Sequence, residues 1–131
     1  MCAGAVSGLS ACPQTLATGE ASAQLQSDDG VLRNVIYRFE PAAPAMHRLM
    51  SFYVRLGITS ELSTSATLSL DATMPAHGHG MNYAPPEVQL RDNQAKIDGL
   101  LFHMPGHWRV RFTIRDSDTA RRAFADITLT P

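Results

Sequence analysis

The feature that most constrains the fold is a stretch near the carboxyl end of the chain in which apolar and polar side chains alternate without a break. The alternation runs through Trp108, Arg109, Val110, Arg111, Phe112, Thr113, Ile114 and Arg115. A period of two residues places one set on each face of a β-strand and does not match the 3.6-residue period of a helix. Any fold of this chain must therefore bury one face of an extended strand here.

Further stretches have strand character, and no part of the chain shows a long helical period. They are separated by proline, glycine or Asp-Asn turn signals and comprise residues 35–39, 49–58, 66–74, 87–91, 95–104 and 122–130. Short strands at this spacing predict an all-β fold, specifically an antiparallel β-sandwich of about seven strands. With 131 residues, the chain has the size of one domain.

Charge and motifs exclude several classes of function. The net charge is −1 and 18% of the residues are charged, so the chain has no electrostatic footprint for nucleic acid or an anionic membrane surface. No stretch approaches the ~18 apolar residues that a membrane helix needs. No serine or cysteine nucleophile motif is present, and Asp116 and Asp118 are typical of a turn rather than of a catalytic acid pair. The sequence therefore does not indicate an enzyme.

The amino-terminal residues suggest a compartment. Residues 9–12 (LSAC) resemble a bacterial lipobox, in which Cys12 would be lipidated and become the first mature residue. The preceding residues are small and apolar but too few for a complete signal, and they contain no Lys or Arg, so either the true start lies upstream or the match is accidental. The alternative is a flexible tail with two incidental cysteines, or a disulfide between Cys2 and Cys12. On the first interpretation the protein lies in the periplasm or cell envelope, anchored to a membrane through lipid.

Composition divides the chain into three parts. Residues 1–12 form the partial signal-like segment. Residues 13–30, rich in Ala, Ser, Thr, Gln and Asp, are predicted to be a flexible linker, with one early edge strand within it as the alternative. Residues 31–131 form the predicted β-domain.

Histidine and methionine are concentrated in two short segments. The first is 74–81 (MPAHGHGM) and the second is 103–108 (HMPGHW), and together they hold four of the five histidines. Imidazole and thioether are donors that suit copper. His77 and His79 are two residues apart, so on an extended segment their side chains leave the same side.

A tight turn is predicted in the second segment, because Pro105 and Gly106 occupy the central positions that a type II turn prefers. The resulting hairpin would place Met104 opposite His107, His103 opposite Trp108, Leu101 opposite Val110 and Ile97 opposite Ile114. If successive strands alternate in direction, the connections 41–48, 75–85 and 104–107 all lie at one end. That end would hold the five histidines and five of the six methionines, and loops at one end of a rigid sandwich often form a binding site.

The predicted metal ligands are His77, His79, Met81, Met104, His107 and His103. Several have structural alternatives: Met81 would serve equally well as a loop anchor, and His103 as a buried, hydrogen-bonded histidine. Met74 is assigned to the core because it continues the alternation of Leu68 and Leu70, and Trp108 is assigned to the core as well. Met46 and His47 are auxiliary candidates.

The order of these features resembles the YtkA-like family of exported bacterial proteins, which are similar in pattern to the FixH accessory proteins of oxidase assembly. The resemblance covers residues 31–131 and rests on MPAHGHGM and on LLFHMPGHWRVRF. It implies an immunoglobulin-like sandwich, with copper handling as the associated activity. His77, His79, Met104 and Trp108 match the family's motif positions, whereas His103 and His107 are additions in this chain.

The sequence thus leads to two hypotheses. The first is an envelope copper-binding protein, a chaperone or scavenger, that holds Cu(I) in preference to Cu(II) and passes it to an envelope or oxidase-assembly partner. The lack of a cysteine after Cys12 argues against a blue-copper centre and against structural zinc. The alternative is a domain without metal that binds another envelope protein through an outward patch of Phe102 and Leu100.

Overall fold

The computed structural model describes residues 19–26, 30–40, 46–59, 62–76, 78–80 and 85–130. These residues form β-strands and turns with no helix, which confirms the all-β prediction. The strands are β1 (Glu20–Leu25), β2 (Leu32–Glu40), β3 (Met50–Ile58), β4 (Thr67–Met74), β5 (His79–Gly80), β6 (Val88–Gln89), β7 (Gln94–Leu100), β8 (Gly106–Asp116) and β9 (Thr119–Leu129).

Every strand pairing among the described residues is antiparallel. The strands follow the order β5-β4-β8-β9-β1-β2-β3-β7, with β6 attached to β4. The sheet curls until β4 approaches β7, so that it is nearly closed into a barrel. A sandwich of seven strands is not confirmed, because β1 pairs with both β2 and β9 and joins the two halves into one sheet.

Strand β1 lies within residues 13–30, so the early strand that the prediction allowed there is present at Glu20–Leu25, and these six residues are not a flexible linker. It is not an edge strand either, since Ala21 is opposite Tyr37 on one side and Leu25 is opposite Ala123 on the other. Its residues are mostly alanine, serine and glutamine, which differ little in hydrophobicity, so the two-residue alternation of a strand cannot be recognised in the sequence. The sheet therefore begins at Glu20.

The core lies between the two halves of the curled sheet. Trp108, Val110, Phe112 and Ile114 are fully buried, which confirms the alternation that predicts β8. The rings of Tyr37, Phe39, Phe52 and Phe112 form a cluster in which the Phe39 and Phe52 centroids are 4.3 Å apart. Each large apolar side chain buried in this way contributes roughly 1.5–3 kcal/mol.

The predicted hairpin between β7 and β8 does not form. Ile97 lies opposite Phe52 rather than Ile114, and Val110 lies opposite Ala72 and Ala125 rather than Leu101. Both edges of β8 are already occupied by β4 and β9, so no edge remains for β7. Residues 101–105 instead cross from β7, at one end of the strand order, to β8, which lies between β4 and β9 in the other half.

Strand directions place the relevant connections at one end of the barrel. Because β4 runs antiparallel to β8, the end of β4 meets the start of β8, and Thr73 lies opposite Arg109. Because β3 runs antiparallel to β7, the start of β3 meets the end of β7, and Met50 lies opposite Leu100. The alternation through β9, β1 and β2 puts both meetings at the same end, as the sequence predicts.

Candidate metal centre

The described residues 46–49, 74–76, 78–80 and 101–107 form this end of the barrel, called the His/Met pole below. A backbone hydrogen bond ties two of its connections together, because the His47 N–H donates to the Phe102 carbonyl over 2.8 Å. His47 has a φ of 57°, a left-handed conformation that histidine tolerates better than most residues. Residues 46–49 are thereby held against the 101–105 crossing.

The first His/Met segment begins with a tight turn after β4. The Gly78 N–H donates to the Met74 carbonyl over 2.8 Å, and His79 lies opposite Met74 in the β4–β5 pairing. Gly106, the first residue of β8, has a φ of 124° and a Cβ there would lie 3.0 Å from Met74 Cε. The close approach of Met74 to Gly106 brings the end of the first segment next to the second.

The placement of Met74 confirms its assignment to the core, since it is 1% exposed. Met50 has the same exposure and is likewise a core residue. Met46 and Met104 are only partly buried and pack against the edge of the core. The two methionines at the boundary between core and solvent are thus the described thioethers with the best access to an ion.

Trp108 anchors the 101–105 crossing from within the core. Its side chain is fully buried, its indole N–H donates to the Met104 carbonyl over 3.0 Å, and its ring centroid is 5.1 Å from that of Phe102. The core assignment of Trp108 is therefore confirmed. The hydrogen bond fixes the backbone that carries His103 and Met104.

His103 is half-buried against the edge of Trp108, with ring centroids 5.7 Å apart and an interplanar angle of 73°. Its Nδ1 atom is buried and has no hydrogen-bond partner in the described part of the chain. The alternative of a buried histidine bonded to its surroundings thus has no support at Nδ1. An unsatisfied buried nitrogen costs about 1–3 kcal/mol and calls for an explanation.

His107 lies on the exposed side of β8, where its Nε2 is 3.0 Å from Asp126 Oδ1. Arg109 Nε donates to the same oxygen over 3.0 Å. Hydrogen bonds from Arg109 first, and from His107 second, hold the pKa of Asp126 below its usual range. The carboxylate therefore stays ionised and fixes the orientation of the His107 ring. Nδ1 is the ring nitrogen that does not contact Asp126.

Asp126 is a residue of the candidate site that the sequence patterns do not predict. The turn between β8 and β9 places Asp116 opposite Thr119, and continuing that register pairs Arg109 with Asp126. The turn residues Ser117 and Asp118 could have predicted this pairing, because a two-residue hairpin loop fixes the register of the strands that it joins.

Four of the predicted site residues lie partly or wholly outside the part of the chain that the structure describes. His77, Met81 and Cys12 lie outside the described residues, as does Cys2, and for His79 only the backbone is described. Among the side chains that are described, no group of three or more His, Cys, Asp or Glu is placed to hold a metal ion. His103, Met104 and His107 share the pole with the start of β5.

The predicted contact patch of Phe102 and Leu100 is wrong, because both side chains are fully buried. Leu100 is the last residue of β7 and lies opposite the buried Met50. Phe102 turns inward on the crossing segment and meets Trp108. The outward parity expected of both residues depended on a straight strand through residue 104, and β7 ends at Leu100.

Comparison of the chain with models of protein families, with curated proteins and with solved structures found no match. Within the described ranges, no helix has the length and apolar character to cross a membrane.

Proposed function

We propose that the protein is a copper-binding protein of the bacterial envelope, a chaperone or scavenger, which holds Cu(I) at the His/Met pole. The observation that carries this proposal is topological. Antiparallel pairing brings the strand ends that flank both His/Met segments to one end of the barrel, although the segments are far apart in sequence. On this proposal, donors from 77–81 and from 103–107 bind one ion.

The donor set suits a soft cation. The ligands of a low-coordinate Cu(I) site are drawn from two imidazoles and a thioether of the first segment, His77, His79 and Met81, and from His103, Met104 and His107 of the second. Sulfur and imidazole without thiolate favour copper over the hard divalent ions. The buried Nδ1 of His103, which lacks a hydrogen-bond partner among the described residues, supports its inclusion, since coordination would satisfy it.

Asp126 supports a ligand role for His107. Metal-binding histidines usually donate the N–H of their second nitrogen to a carboxylate or carbonyl, which fixes the tautomer and raises the basicity of the coordinating nitrogen. The 3.0 Å contact between His107 Nε2 and Asp126 Oδ1 has this form. On this proposal Nδ1 of His107 is the coordinating atom.

The position of the site favours capture and transfer of the ion over catalysis. The proposed ligand His107 is exposed at the pole, so a bound ion is accessible to a partner that receives it. We further propose that Cys12 carries a lipid anchor, that the partner is an envelope or oxidase-assembly protein, and that the curled sheet is a variant of the immunoglobulin-like sandwich of the YtkA-like family.

The test is a titration of the full chain with Cu(I) against a competing chelator. Cys2→Ser/Cys12→Ser is the background, because free thiols would bind Cu(I) themselves. We expect one tightly bound equivalent, and a loss of affinity of about a hundredfold or more in His77→Ala/His79→Ala, since even outer partners of metal ligands are worth 10–100-fold.

His47→Ala serves as the control, because the proposed ligand set leaves out this auxiliary candidate although it is an exposed imidazole at the same pole. Its affinity should stay close to that of the background protein. Binding no tighter than that of the chelator, or equal losses in His47→Ala and His77→Ala/His79→Ala, would overturn the proposal.

A further inference from the structure

A cleft crosses the outer face of the sheet and shares no residue with the His/Met pole. Its volume is about 480 Å³, and it is lined by Glu20, Arg38, Tyr53, Val54, Arg55, Gln89, Arg91, Gln94, Ala95 and Lys96. Clefts that bind small molecules usually fall between about 300 and 1,000 Å³. The size of this one suits a small ligand.

The cleft is built as a row of directly opposed residues across four strands. Glu20 on β1 lies opposite Arg38 on β2, Arg38 opposite Tyr53 on β3, and Tyr53 opposite Lys96 on β7. These positions have the parity of the outer face, since their neighbours Tyr37, Phe52 and Ile97 are core residues. The cleft is therefore a product of the sheet order and is invisible in the linear sequence.

The charge of the cleft contrasts with that of the chain. Its lining has four cationic side chains, Arg38, Arg55, Arg91 and Lys96, and a single carboxylate, Glu20, whereas the net charge of the protein is −1. Glu40 and Asp98 approach Arg38 and Lys96 from outside the cleft at 3.6 and 3.5 Å. Both of these pairs are exposed, and exposed pairs are weak.

The Tyr53 ring holds two of the cations in place before any ligand arrives. The Arg38 guanidinium stacks on the Tyr53 ring with its Cζ 3.8 Å from the centroid, and Lys96 Nζ lies 5.3 Å from the same centroid. Hydrogen bonding to Tyr53 and the charge of Asp98 raise the pKa of Lys96, so its ammonium group keeps its charge at neutral pH.

A third cation is held by a bidentate ion pair, in which Arg55 donates to the two oxygens of Glu20 over 3.1 and 2.9 Å. The pair spans β2 at Ile36, which has outer-face parity and yet is only 1% exposed. An ordered guanidinium costs little entropy when it binds a ligand, because its rotamer is already fixed.

We propose that this cleft binds a small polyanion that carries at least two oxyanion groups, phosphate or carboxylate. Arginine presents a planar fork that matches such groups in a bidentate manner, and lysine adds a point charge. Arg38 and Lys96 flank the tyrosine ring on one row, and Arg91 lies at the β6–β7 end of the cleft, so separate oxyanions of one ligand meet separate cations.

The test is a calorimetric titration of the full, metal-free chain at low ionic strength with pyrophosphate and, separately, with citrate. We expect one site for at least one probe. Its affinity should fall by about tenfold or more in Arg38→Gln/Lys96→Gln, a change equal to about 1.4 kcal/mol or more. The probe that binds more tightly distinguishes a phosphate ligand from a carboxylate one.

Arg111→Gln/Arg115→Gln is the matched control, because it also removes two positive charges, but from β8, a strand that does not line the cleft. Asp71 lies opposite Arg111 there. Arg91→Gln is a second variant of the cleft that leaves the Tyr53 row intact. No binding of either probe, or an equal loss in the control, would overturn the proposal. Either of these outcomes would leave the proposed copper site unaffected, because the cleft and the His/Met pole share no residue.

Discussion

Replacement of Trp108 by alanine is expected to lower the free energy of unfolding by about 3–5 kcal/mol. The side chain is 0% exposed, it contacts the Phe102 ring, and its indole N–H satisfies the Met104 carbonyl. A loss of this size is a large part of the 5–15 kcal/mol typical of a domain. Urea unfolding followed by far-UV circular dichroism measures it, because the variant lacks the only tryptophan.

Trp108→Phe separates the two contributions of this side chain. It retains an aromatic ring in the core but removes the donor to Met104, and should cost about 1–3 kcal/mol. We also expect it to weaken copper binding, because the backbone of 101–105 loses its anchor. A cost below about 1 kcal/mol for Trp108→Ala, the average effect of a point mutation, would contradict the described core.

The second large effect is the shared loss of one bound ion when a ligand is removed from either segment. His79→Ala and His103→Ala, each in the background without cysteines, are expected to weaken the same single equivalent of Cu(I) by about tenfold or more, because even outer partners of metal ligands are worth about 10–100-fold. The double variant should lose less than the product of the two losses, because ligands of one ion are coupled and contacting residues are not additive. Chelator competition measures all four proteins.

Two independent sites would give a different pattern. The background protein would then bind two equivalents, and each single variant would retain one of them at full affinity. Met50→Leu is the control for an effect of fold alone, since Met50 is a buried methionine near the pole and the substitution conserves volume, which cores tolerate well. Its copper affinity should not change.

The parts of the fold that follow from local patterns could be predicted. The alternation in β8 and the turn at Asp92 and Asn93 are both present, and these two residues have φ values of 52° and 61°, as a two-residue hairpin turn requires. The crossing at 101–105 could not be predicted in the same way. Pro105 and Gly106 fit a hairpin turn, and only the occupation of both edges of β8 by β4 and β9 rules it out.

The candidate site divides along the same line. Strand alternation was enough to group the His/Met connections at one end, because antiparallel order fixes which ends meet. The unsatisfied Nδ1 of His103, the contact of His107 with Asp126 and the cationic cleft depend on register and curvature across distant strands. Glu20 and Lys96, for example, belong to one row of the sheet, but β1 itself was hidden by its low hydrophobicity.

X-ray absorption at the copper edge of the Cu(I)-loaded protein, without cysteines, tests the central claim most directly. We expect nitrogen and sulfur scatterers together around the copper, at about 2.0 and 2.3 Å by analogy with zinc, with less sulfur in Met104→Leu and less nitrogen in His103→Ala. Nitrogen and oxygen scatterers alone, unchanged by both substitutions, would contradict a site built from the two His/Met segments.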